Sequence, residues 1–534
     1  MHMKKSIIDL LVELIGCISI VILIYLRILS EHTDIQISTF FCFIVITFVL
    51  SNIKGCSWIF KIFLLLASAY SCLYYGALFG FGFSVEFIIA DVISVVLAST
   101  QNELQTFLSN VIAQKPFELI LSVISLLGLL IYSISSRCFK IKNAYKTILW
   151  GGVIVDVVII FLILTFENIG GGVAILTSKI PQYYSQIVRS HKAIKQKEKF
   201  DWYAKSKING KQIVVVILGE TTRGDHMSIC GYNRATTPKL KLLDTICFKD
   251  SISIGNHTLL STPYMLTRKP VSDDNIHELF GELSVISAFK SAGFKTYYLS
   301  YLSSVHVGDN VINQIVSEAD VYMQRPWSEH QDSEYLSMVD ALLADDTEKK
   351  MIMIKLIGSH FNYQDMYPMT FDKFKPSFKT TEYTGTDVSM KKEFVNSYDN
   401  SILHTDYVVS EIINKLIPID DAEVSLSFIS DHGTSIYEDG KTIYGGVKKA
   451  NYNAALFFWF GKNIKNRLGS RMDILKYNSD KPVDSTYFVD TILDIAGIET
   501  PMKIGKNLLN KKLDYIDERK VVVGDKVVLY KNLD

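Results

Sequence analysis

The stretch Ile213-Val-Val-Val-Ile-Leu-Gly-Glu-Thr-Thr-Arg-Gly-Asp-His226 places six apolar residues directly before a glycine, the carboxylate of Glu220 and two threonines. One interpretation is a buried strand followed by a helix that a threonine caps and whose first turn carries the acid. The other is a parallel strand of an α/β protein, whose carboxyl end is the usual place for a binding or catalytic group. The rest of the chain has to distinguish these two interpretations.

Residues 211–534 alternate between short apolar runs and segments with helical periodicity. Apolar or β-branched runs predict buried strands of a largely parallel sheet at 213–218, 295–299, 351–357, 424–429 and 455–460. Between them, the spacing of apolar residues predicts helices at 283–292 and 388–416. Strands that alternate with helices are typical of a layered α/β domain.

The first 168 residues have a different composition. Hydrophobic residues make up 49% of the 534-residue chain, and its long apolar runs are confined to this part. Each run approaches the roughly 20 residues that cross a bilayer core. The runs lie at about 7–29, 37–52, 58–80, 117–135 and 147–166. A cleaved signal peptide accounts for the first run only, so we predict a five-helix transmembrane domain over 1–168.

Basic residues predict the orientation of these five helices. Lysines and arginines lie at the N-terminus and at alternate connections, whereas the 81–116 connection contains only Lys115 of these types. Because cytoplasmic loops carry the excess of positive charge, we expect a cytoplasmic N-terminus and a periplasmic 81–116 connection. Five crossings then place a juxtamembrane linker, 169–210, and the α/β domain, 211–534, on the periplasmic side of a bacterial inner membrane.

Charge argues against one class of partner. The chain has 55 Lys and Arg and 55 Asp and Glu, so it has no basic surplus to neutralise phosphates, and we predict no nucleic-acid partner. The lysine-rich part of the linker, 181–210, is interpreted as a solvated connecting helix. Contact with anionic lipid headgroups is the alternative.

Polar groups follow three of the predicted strands. Glu220 follows the first, Gly358-Ser-His360 the third and Ser430-Asp-His-Gly433 the fourth. Each by itself is compatible with a polar loop residue or with a hydrogen-bonded core histidine. Together, at the carboxyl edge of one sheet, two carboxylates and an imidazole suit a divalent transition metal, and zinc is the first choice outside the cell.

Two of the seven cysteines, Cys230 and Cys247, lie outside the predicted membrane domain. An exported domain is able to form disulfides, but spacing alone does not establish this pair. A disulfide and two free thiols therefore both stay open.

Four blocks of residues occur in a specific order. The first is Gly219-Glu-Thr-Thr-Arg-Gly-Asp-His-Met-Ser-Ile-Cys-Gly-Tyr-Asn-Arg-Ala-Thr-Thr-Pro238. The others are Gly358-Ser-His360, Ser397-Tyr-Asp-Asn-Ser-Ile-Leu-His-Thr-Asp406 and Ser430-Asp-His-Gly433. These blocks, within a similarity that covers most of 211–500, resemble the membrane phosphoethanolamine transferases of the alkaline-phosphatase and sulfatase superfamily. The implied fold is a multi-span α-helical membrane domain plus an α/β alkaline-phosphatase-like (sulfatase-like) periplasmic domain.

The resemblance also implies a metal site and a nucleophile. In the family, one zinc is bound by the acid of the first block, by a later threonine and by the Asp-His pair. The corresponding residues here are Glu220, Thr258, Asp431 and His432. Thr258 lies in Gly255-Asn-His-Thr-Leu-Leu-Ser-Thr-Pro263, where the family places its nucleophile just inside a helix start.

The implied reaction depends on an activated threonine. A threonine hydroxyl is a poor nucleophile at neutral pH, and coordination to zinc stabilises its alkoxide. Thr258 is then expected to attack phosphatidylethanolamine and release diacylglycerol, and the phosphoethanolamine passes to a lipopolysaccharide acceptor, a lipid A phosphate or a core sugar. Membrane lipids are the other expected partners. Thr221 and Thr222 are expected only to cap the helix after Glu220.

Two other functions are considered. A phosphoglycerol transferase or phosphohydrolase of the same superfamily shares the metal site, but the run Gly-Tyr-Asn-Arg-Ala-Thr-Thr-Pro favours the phosphoethanolamine transferase. A metal-free structural membrane protein is disfavoured by the ordered acidic and histidine blocks.

The chain departs from the family pattern at several positions. Ile254 and Tyr264 stand where many relatives have cysteines. Gly445 stands near the place of a downstream histidine, so a second metal site stays open.

Three further residues are candidate substrate contacts. His360 keeps its family block, and His306 lies roughly where relatives have another phosphate-binding group. Glu103, in Ser99-Thr-Gln-Asn-Glu103, resembles the segment that receives the ethanolamine headgroup. The alternatives are a plain loop histidine at 306 and amphipathic packing on the membrane surface around Glu103.

Overall fold

A computed structural model describes residues 124, 127 and 200–534, except for 274–275, 277–280, 302–310, 325–330, 382–387, 439, 441, 443–444, 503–504, 515–516 and 525. The strands are β1 (Lys205–Ser206), β2 (Gln212–Gly219), β3 (Ile246–Cys247), β4 (Ser251–Ile252), β5 (Lys295–Ser300), β6 (Val321–Gln324), β7 (Lys349–Lys355), β8 (Glu423–Ser430), β9 (Leu456–Phe460), β10 (Val483–Asp484), β11 (Ile498–Glu499), β12 (Lys520–Val523) and β13 (Lys526–Leu529). The helices are α1 (Thr258–Leu266), α2 (Val285–Ser291), α3 (Val311–Val316), α4 (Tyr335–Ala344), α5 (Lys391–Leu416), α6 (Lys449–Tyr452), α7 (Lys462–Leu468), α8 (Arg471–Asn478) and α9 (Phe488–Ile495).

The apolar run after residue 212 forms β2, the central strand of a seven-stranded sheet with the order β3-β9-β8-β2-β7-β5-β6. All residues of β2 are buried, as expected for a parallel strand covered on both faces. β8, β2, β7, β5 and β6 run parallel, and β9 and β3 continue the sheet antiparallel beyond β8. The five predicted strands and the largely parallel sheet are therefore confirmed, with β9 as the antiparallel exception among them.

Side chains of β2 reach both faces of the sheet. Val214 and Val216 belong to one hydrophobic cluster, and Ile213 and Val215 belong to another. Because successive side chains of a strand point to opposite faces, the two clusters are the two sides of the sheet. α2 and α9 contribute buried side chains to the first cluster, and α4 and α5 contribute to the second. The domain is thus a three-layer α/β/α structure.

The two predicted helices are present with shorter bounds. The segment 283–292 forms α2, which begins after Ser284 because the Ser284 hydroxyl accepts from Ile286 N (3.2 Å) as an N-cap. The segment 388–416 forms a 3₁₀ helix, Val388–Met390, followed by α5.

The five predicted membrane runs lie outside the described residues, apart from Ile124 and Leu127, which are helical and exposed. Among the residues that the structure describes, none of the helices combines the length and apolar character needed to cross a membrane.

The end of the predicted linker helix is described, and there the prediction is wrong. Residues 200–210 contain no helix. Trp202 is buried, and its Nε1 donates to Ser284 O (3.1 Å). β1 pairs antiparallel with β11. Trp202 and Ala204 therefore pack in the core of the α/β domain, which explains why this segment is not a solvated helix.

Candidate metal centre

The carboxyl ends of neighbouring strands bring the polar blocks together. β2 lies between β7 and β8, and Gly219 pairs with Ser430. The next residues, Glu220 and Asp431, therefore leave the sheet side by side. Glu220, Asp431 and His432 are buried, and their ligand atoms lie within 4.8 Å of one another. Within the described part of the chain, this is the one group of at least three acidic, His or Cys side chains arranged to hold a metal ion.

Thr258, the first residue of α1, faces the same group. Its Oγ1 lies 2.8 Å from Asp431 Oδ2, 3.4 Å from Glu220 Oε2 and 3.4 Å from His432 Nε2. The hydroxyl donates to Asp431, its nearest acceptor. The structure thus brings together the four residues that the family resemblance implies as zinc ligands.

Hydrogen bonds fix the orientation of Asp431 and His432. Asp431 Oδ1 accepts from Thr221 N (3.0 Å) and His432 N (2.8 Å), which leaves Oδ2 directed at Thr258. His432 Nδ1 lies 2.7 Å from Gly433 O. Since a carbonyl only accepts, Nδ1 carries a proton. When the imidazole is neutral, its lone pair is therefore on Nε2, which faces the group as a metal ligand would.

The expectation that Thr221 and Thr222 cap the following helix is wrong. The element after Glu220 is a 3₁₀ helix, Gly224–His226, whose N-cap is Arg223 and has no side-chain capping hydrogen bond. Thr221 has a φ of 55°, which turns the chain sharply. Its Oγ1 donates to Glu220 Oε1 (2.8 Å), and Thr222 Oγ1 donates to Glu220 O (3.1 Å). Both threonines therefore hold Glu220 in place.

Lys355, the last residue of β7, is a site residue that the sequence patterns did not predict. Its side chain is buried. Nζ donates to Glu220 Oε2 (2.7 Å), to Asp431 Oδ2 (2.9 Å) and to Gly219 O (2.9 Å). A signal was present, because Lys355 is the one charged residue in the apolar run 351–357, and a charge inside a buried strand requires a partner.

Opposite charges set the protonation of the site. Burial alone would raise the pKa of the Glu220 carboxyl, but Lys355, His432 and His360 outweigh burial, so this pKa lies well below its ordinary value. Burial lowers the pKa of Lys355, but Asp431 and Glu220 outweigh it and raise this pKa overall. Burial also lowers the pKa of His432, but Asp431 and Glu220 outweigh burial and raise this pKa to about 9. A metal that binds His432 Nε2 therefore has to displace a proton.

The turn after β7 is packed against Glu220. Asp332 accepts from Ile357 N (2.8 Å) and Gly358 N (2.9 Å), and Ser359 N donates to Glu220 O (2.9 Å). Gly358 has a φ of 59°, and a β-carbon there would lie 2.8 Å from Glu220 O and 3.0 Å from Glu220 N. This close approach of two backbone segments requires glycine.

Of the three candidate substrate contacts, the structure describes only His360. His360 is half-buried in the turn after β7, and its Nδ1 donates to Phe361 O (2.7 Å). It lies two residues after Gly358, which packs against Glu220 of the metal centre. A contact between His360 and substrate stays a prediction. His306 and Glu103 lie outside the described residues.

Cys230 and Cys247 form a disulfide, with Cα atoms 5.4 Å apart. It joins the end of a 3₁₀ helix, Ser228–Cys230, to the edge strand β3. The open question about these two thiols is thus answered by the fold, which brings together residues separated by 17 positions.

Apolar packing is found around α1 at Ile254 and Tyr264, the two positions at which the chain departs from the pattern that the family resemblance implies. Ile254 and Tyr264 are buried in one hydrophobic cluster with Leu260 of α1 and Val522 of β12. Val522 N also donates to Ile254 O (2.9 Å). The strand β12 therefore helps to hold the segment that presents Thr258.

The donor set fits zinc. Zinc takes carboxylate oxygen and imidazole nitrogen ligands and is usually four-coordinate. Glu220, Asp431 and His432 supply two carboxylates and an imidazole whose Nδ1 is hydrogen-bonded to a carbonyl, and Thr258 supplies a fourth donor. These ligands are held on the ends of strands and of a helix, which keeps them in place.

The sequence matches a known family across the whole metal centre. A family model described as Sulfatase matches residues 212–498. The chain belongs to the sulfatase family.

Curated relatives carry a narrower name. The chain is 29% identical to the phosphoethanolamine transferase EptA of Salmonella typhimurium, over 54% of each chain. It is 27% identical to the Kdo(2)-lipid A phosphoethanolamine 7''-transferase of Escherichia coli K12, over 57% of this chain and 54% of that protein. The chain thus matches about half the length of these curated relatives. The resemblance to phosphoethanolamine transferases predicted from the ordered blocks is confirmed.

Two solved structures share the fold. One is the C-terminal periplasmic domain of EcEptC from Escherichia coli in complex with Zn, with a TM-score of 0.54 at 20% identity over 62% of this chain and 96% of that one. The other is the integral membrane protein lipooligosaccharide phosphoethanolamine transferase A from Neisseria meningitidis, with a TM-score of 0.63 at 18% identity over 91% and 95% of the two chains. The α/β fold expected of the superfamily is confirmed.

Proposed function

We propose that this protein transfers phosphoethanolamine from phosphatidylethanolamine to a lipopolysaccharide acceptor, a lipid A phosphate or a core sugar, and releases diacylglycerol. The position of Thr258 carries the proposal, because its Oγ1 lies at a helix start and within 3.4 Å of atoms of Glu220, Asp431 and His432. The names of the curated relatives support the transferred group, and that of the Escherichia coli relative supports a lipid A-type acceptor.

Thr258 is the proposed nucleophile. Its Oγ1 attacks the phosphorus of the donor, the bond from Oγ1 to phosphorus forms, and the bond from phosphorus to the diacylglycerol oxygen breaks. The Thr258 hydroxyl, which donates to Asp431 Oδ2 in the structure, gives its proton to water, and the departing diacylglycerol oxygen takes up a proton from water. A zinc ion held by Glu220, Thr258, Asp431 and His432 supplies Lewis-acid stabilisation of negative charge on oxygen. The product of this step is a phosphoethanolamine ester of Thr258.

The start of α1 favours this chemistry. The first N–H groups of a helix lack intrahelical partners and form the positive end of its dipole, so they stabilise a phosphoryl group bound there. In the second step an acceptor oxygen attacks the same phosphorus and gives its proton to water, and the bond to Thr258 Oγ1 breaks. Thr258 Oγ1 takes up a proton from water, and the threonine hydroxyl is restored.

The proposed substrates are lipids, so the proposal includes a membrane location. In this proposal the five-helix domain over 1–168 lies in a bacterial inner membrane, and the domain over 211–534 lies in the periplasm. The solved relative from Neisseria meningitidis is described as an integral membrane protein, which supports this arrangement. The Zn complex of EcEptC supports zinc as the metal.

The first test is incubation of the purified full-length chain with phosphatidylethanolamine and no acceptor. We expect peptide mass spectrometry to find one added phosphoethanolamine group on the peptide that contains Thr258, together with released diacylglycerol. Thr258→Ala should abolish both. Thr245→Ala is the matched control, since the Thr245 hydroxyl donates to Leu240 O (3.3 Å) outside the site. A label on another residue contradicts the proposed nucleophile.

The second test identifies the acceptor. Mass spectrometry of envelope glycolipids from cells with and without the gene should show added phosphoethanolamine on lipid A or on core sugars. Added phosphoglycerol, or release of free phosphoethanolamine to water alone, contradicts the proposal and favours a related transferase or a hydrolase.

A further inference from the structure

Lys355 and Thr258 share the same two carboxylate oxygens. Lys355 Nζ lies 2.7 Å from Glu220 Oε2 and 2.9 Å from Asp431 Oδ2. Thr258 Oγ1 lies 3.4 Å and 2.8 Å from these same atoms. The other oxygen of each carboxylate accepts from Thr221, through its hydroxyl at Glu220 and its backbone N–H at Asp431. The oxygens nearest the proposed nucleophile are therefore already bound to an ammonium group.

The ammonium is held in place by all of its hydrogens. The third acceptor of Lys355 Nζ is Gly219 O, at 2.9 Å. Two ionised carboxylates in a buried site repel each other, and an opposite charge within hydrogen-bond distance of both offsets that repulsion. Lys355 thus supplies one positive charge against the two negative charges of Glu220 and Asp431.

We propose that Lys355 is a built-in counter-ion of the metal centre. It holds Glu220 and Asp431 together in the metal-free chain, competes with the metal for their oxygens, and limits the site to one divalent ion. This inference rests on the zinc site of the proposed function. Lys355 acts through the two carboxylates and is a positioning residue.

Competition follows from the shared atoms. A divalent ion bound to Glu220 and Asp431 shares these two carboxylates with the Lys355 ammonium. Repulsion between the two cations weakens binding of the metal ion. A second divalent ion on the Lys355 side would have to displace the ammonium from both oxygens. Removing the charge of Lys355 should therefore tighten metal binding while it destabilises the metal-free chain.

β7 offers a matched control for this substitution. Lys350 is also buried, and its Nζ donates to Leu342 O (2.7 Å) and to the carbonyl of Asp345. It lies near the other end of the strand from Lys355. Its Nζ bonds to carbonyls at the C-terminal end of α4 instead of to Glu220 or Asp431. Lys350→Met thus removes a buried lysine of β7 without changing the charge beside the two carboxylates.

The test is zinc binding by the full-length chain in detergent, measured by competition with a chromogenic chelator, with native mass spectrometry for the number of ions. We expect the wild-type chain to bind one zinc, and Lys355→Met to bind it more tightly by on the order of tenfold. The rise in melting temperature on adding zinc should also be larger in Lys355→Met. Lys350→Met should keep the wild-type affinity.

Lys355→Gln is the second variant. It removes the charge but keeps a hydrogen-bond donor, so it can be measured if Lys355→Met fails to fold. Tighter binding by Lys355→Gln also supports the counter-ion. Unchanged or weaker zinc binding by a folded Lys355 variant overturns it, as does equal tightening in Lys350→Met. Two zinc ions on the wild-type chain overturn the one-ion limit. A wild-type chain that binds no zinc overturns the metal centre itself, and this inference with it.

Discussion

Replacing Gly358 by alanine tests the packing that holds Glu220 in the metal centre. Gly358 has a φ of 59°, a left-handed conformation that costs a residue with a β-carbon about 1–2 kcal/mol. The new methyl group would lie 2.8 Å from Glu220 O, 3.0 Å from Glu220 N and 3.2 Å from Glu220 Cβ. Two of these are backbone atoms, so no side-chain rotation relieves the overlap.

The expected loss is the sum of these two effects. Overpacking in a well-packed region costs about 1–3 kcal/mol, so the free energy of unfolding should fall by about 2–5 kcal/mol in Gly358→Ala. If the turn after β7 shifts to make room for the methyl group, it displaces Glu220. Gly358→Ala should therefore bind zinc more weakly than the wild-type chain.

Gly293→Ala is the control for backbone strain. Gly293 has a φ of 88°, and a methyl group added there would have no neighbouring atom within 4 Å, so only the conformational cost of about 1–2 kcal/mol applies. The assay is denaturant unfolding of the purified chain followed by tryptophan fluorescence, to which the buried Trp202 and Trp459 contribute. Equal losses in the two variants, with zinc binding unchanged, would refute the close packing of Gly358 on Glu220.

Further predictions concern a hydroxyl, a buried acid, the metal and the topology. Thr221→Ala removes the donor to Glu220 Oε1 and should cost about 1.5–3 kcal/mol of unfolding free energy, whereas Thr221→Ser should retain most of it in the same denaturant assay. The pKa of the Asp332 carboxyl is raised to about 6, because burial outweighs its two backbone hydrogen bonds. The carboxyl of the unfolded chain titrates near pH 4, so between pH 4 and pH 6 only the native state binds this proton. Asp332 should therefore add up to about 3 kcal/mol of stability as pH falls from 7 to 4, and this stability is lost again as pH rises through 6. Melting curves of Asp332→Asn, measured over the same pH range, should lack this contribution. Folded Asp431→Ala and His432→Ala proteins should lack stoichiometric zinc in metal analysis, and a full complement of zinc in them would mean that the ligands are misassigned. Alkaline phosphatase fused after residue 534 should be active, and an inactive reporter on a stable, inserted fusion would mean that the membrane spans are miscounted.

Local patterns were sufficient for five of the seven strands of the sheet and for the polar residues at the ends of three of them. A parallel strand covered on both faces needs a nearly continuous apolar run, so β2, β7 and β8 were visible in the sequence. The residue after such a run leaves the sheet at its carboxyl edge, which identified Glu220 and Asp431 as candidate ligands. Thr258 was different, because periodicity does not separate it from Thr262 four residues later, and only the family resemblance selected it.

Tertiary structure decided which of these groups meet and what else joins them. The order of strands places β7 beside β2, and this brings Lys355 against Glu220 and Asp431. It also brings Cys247 on β3 to Cys230, and the turn at Thr221 directs a side chain that was expected to cap a helix toward the metal centre. Apolar periodicity reports how deeply a segment is buried, but it contains no information on which buried segments are neighbours, because that depends on strand order, register and packing across the whole domain.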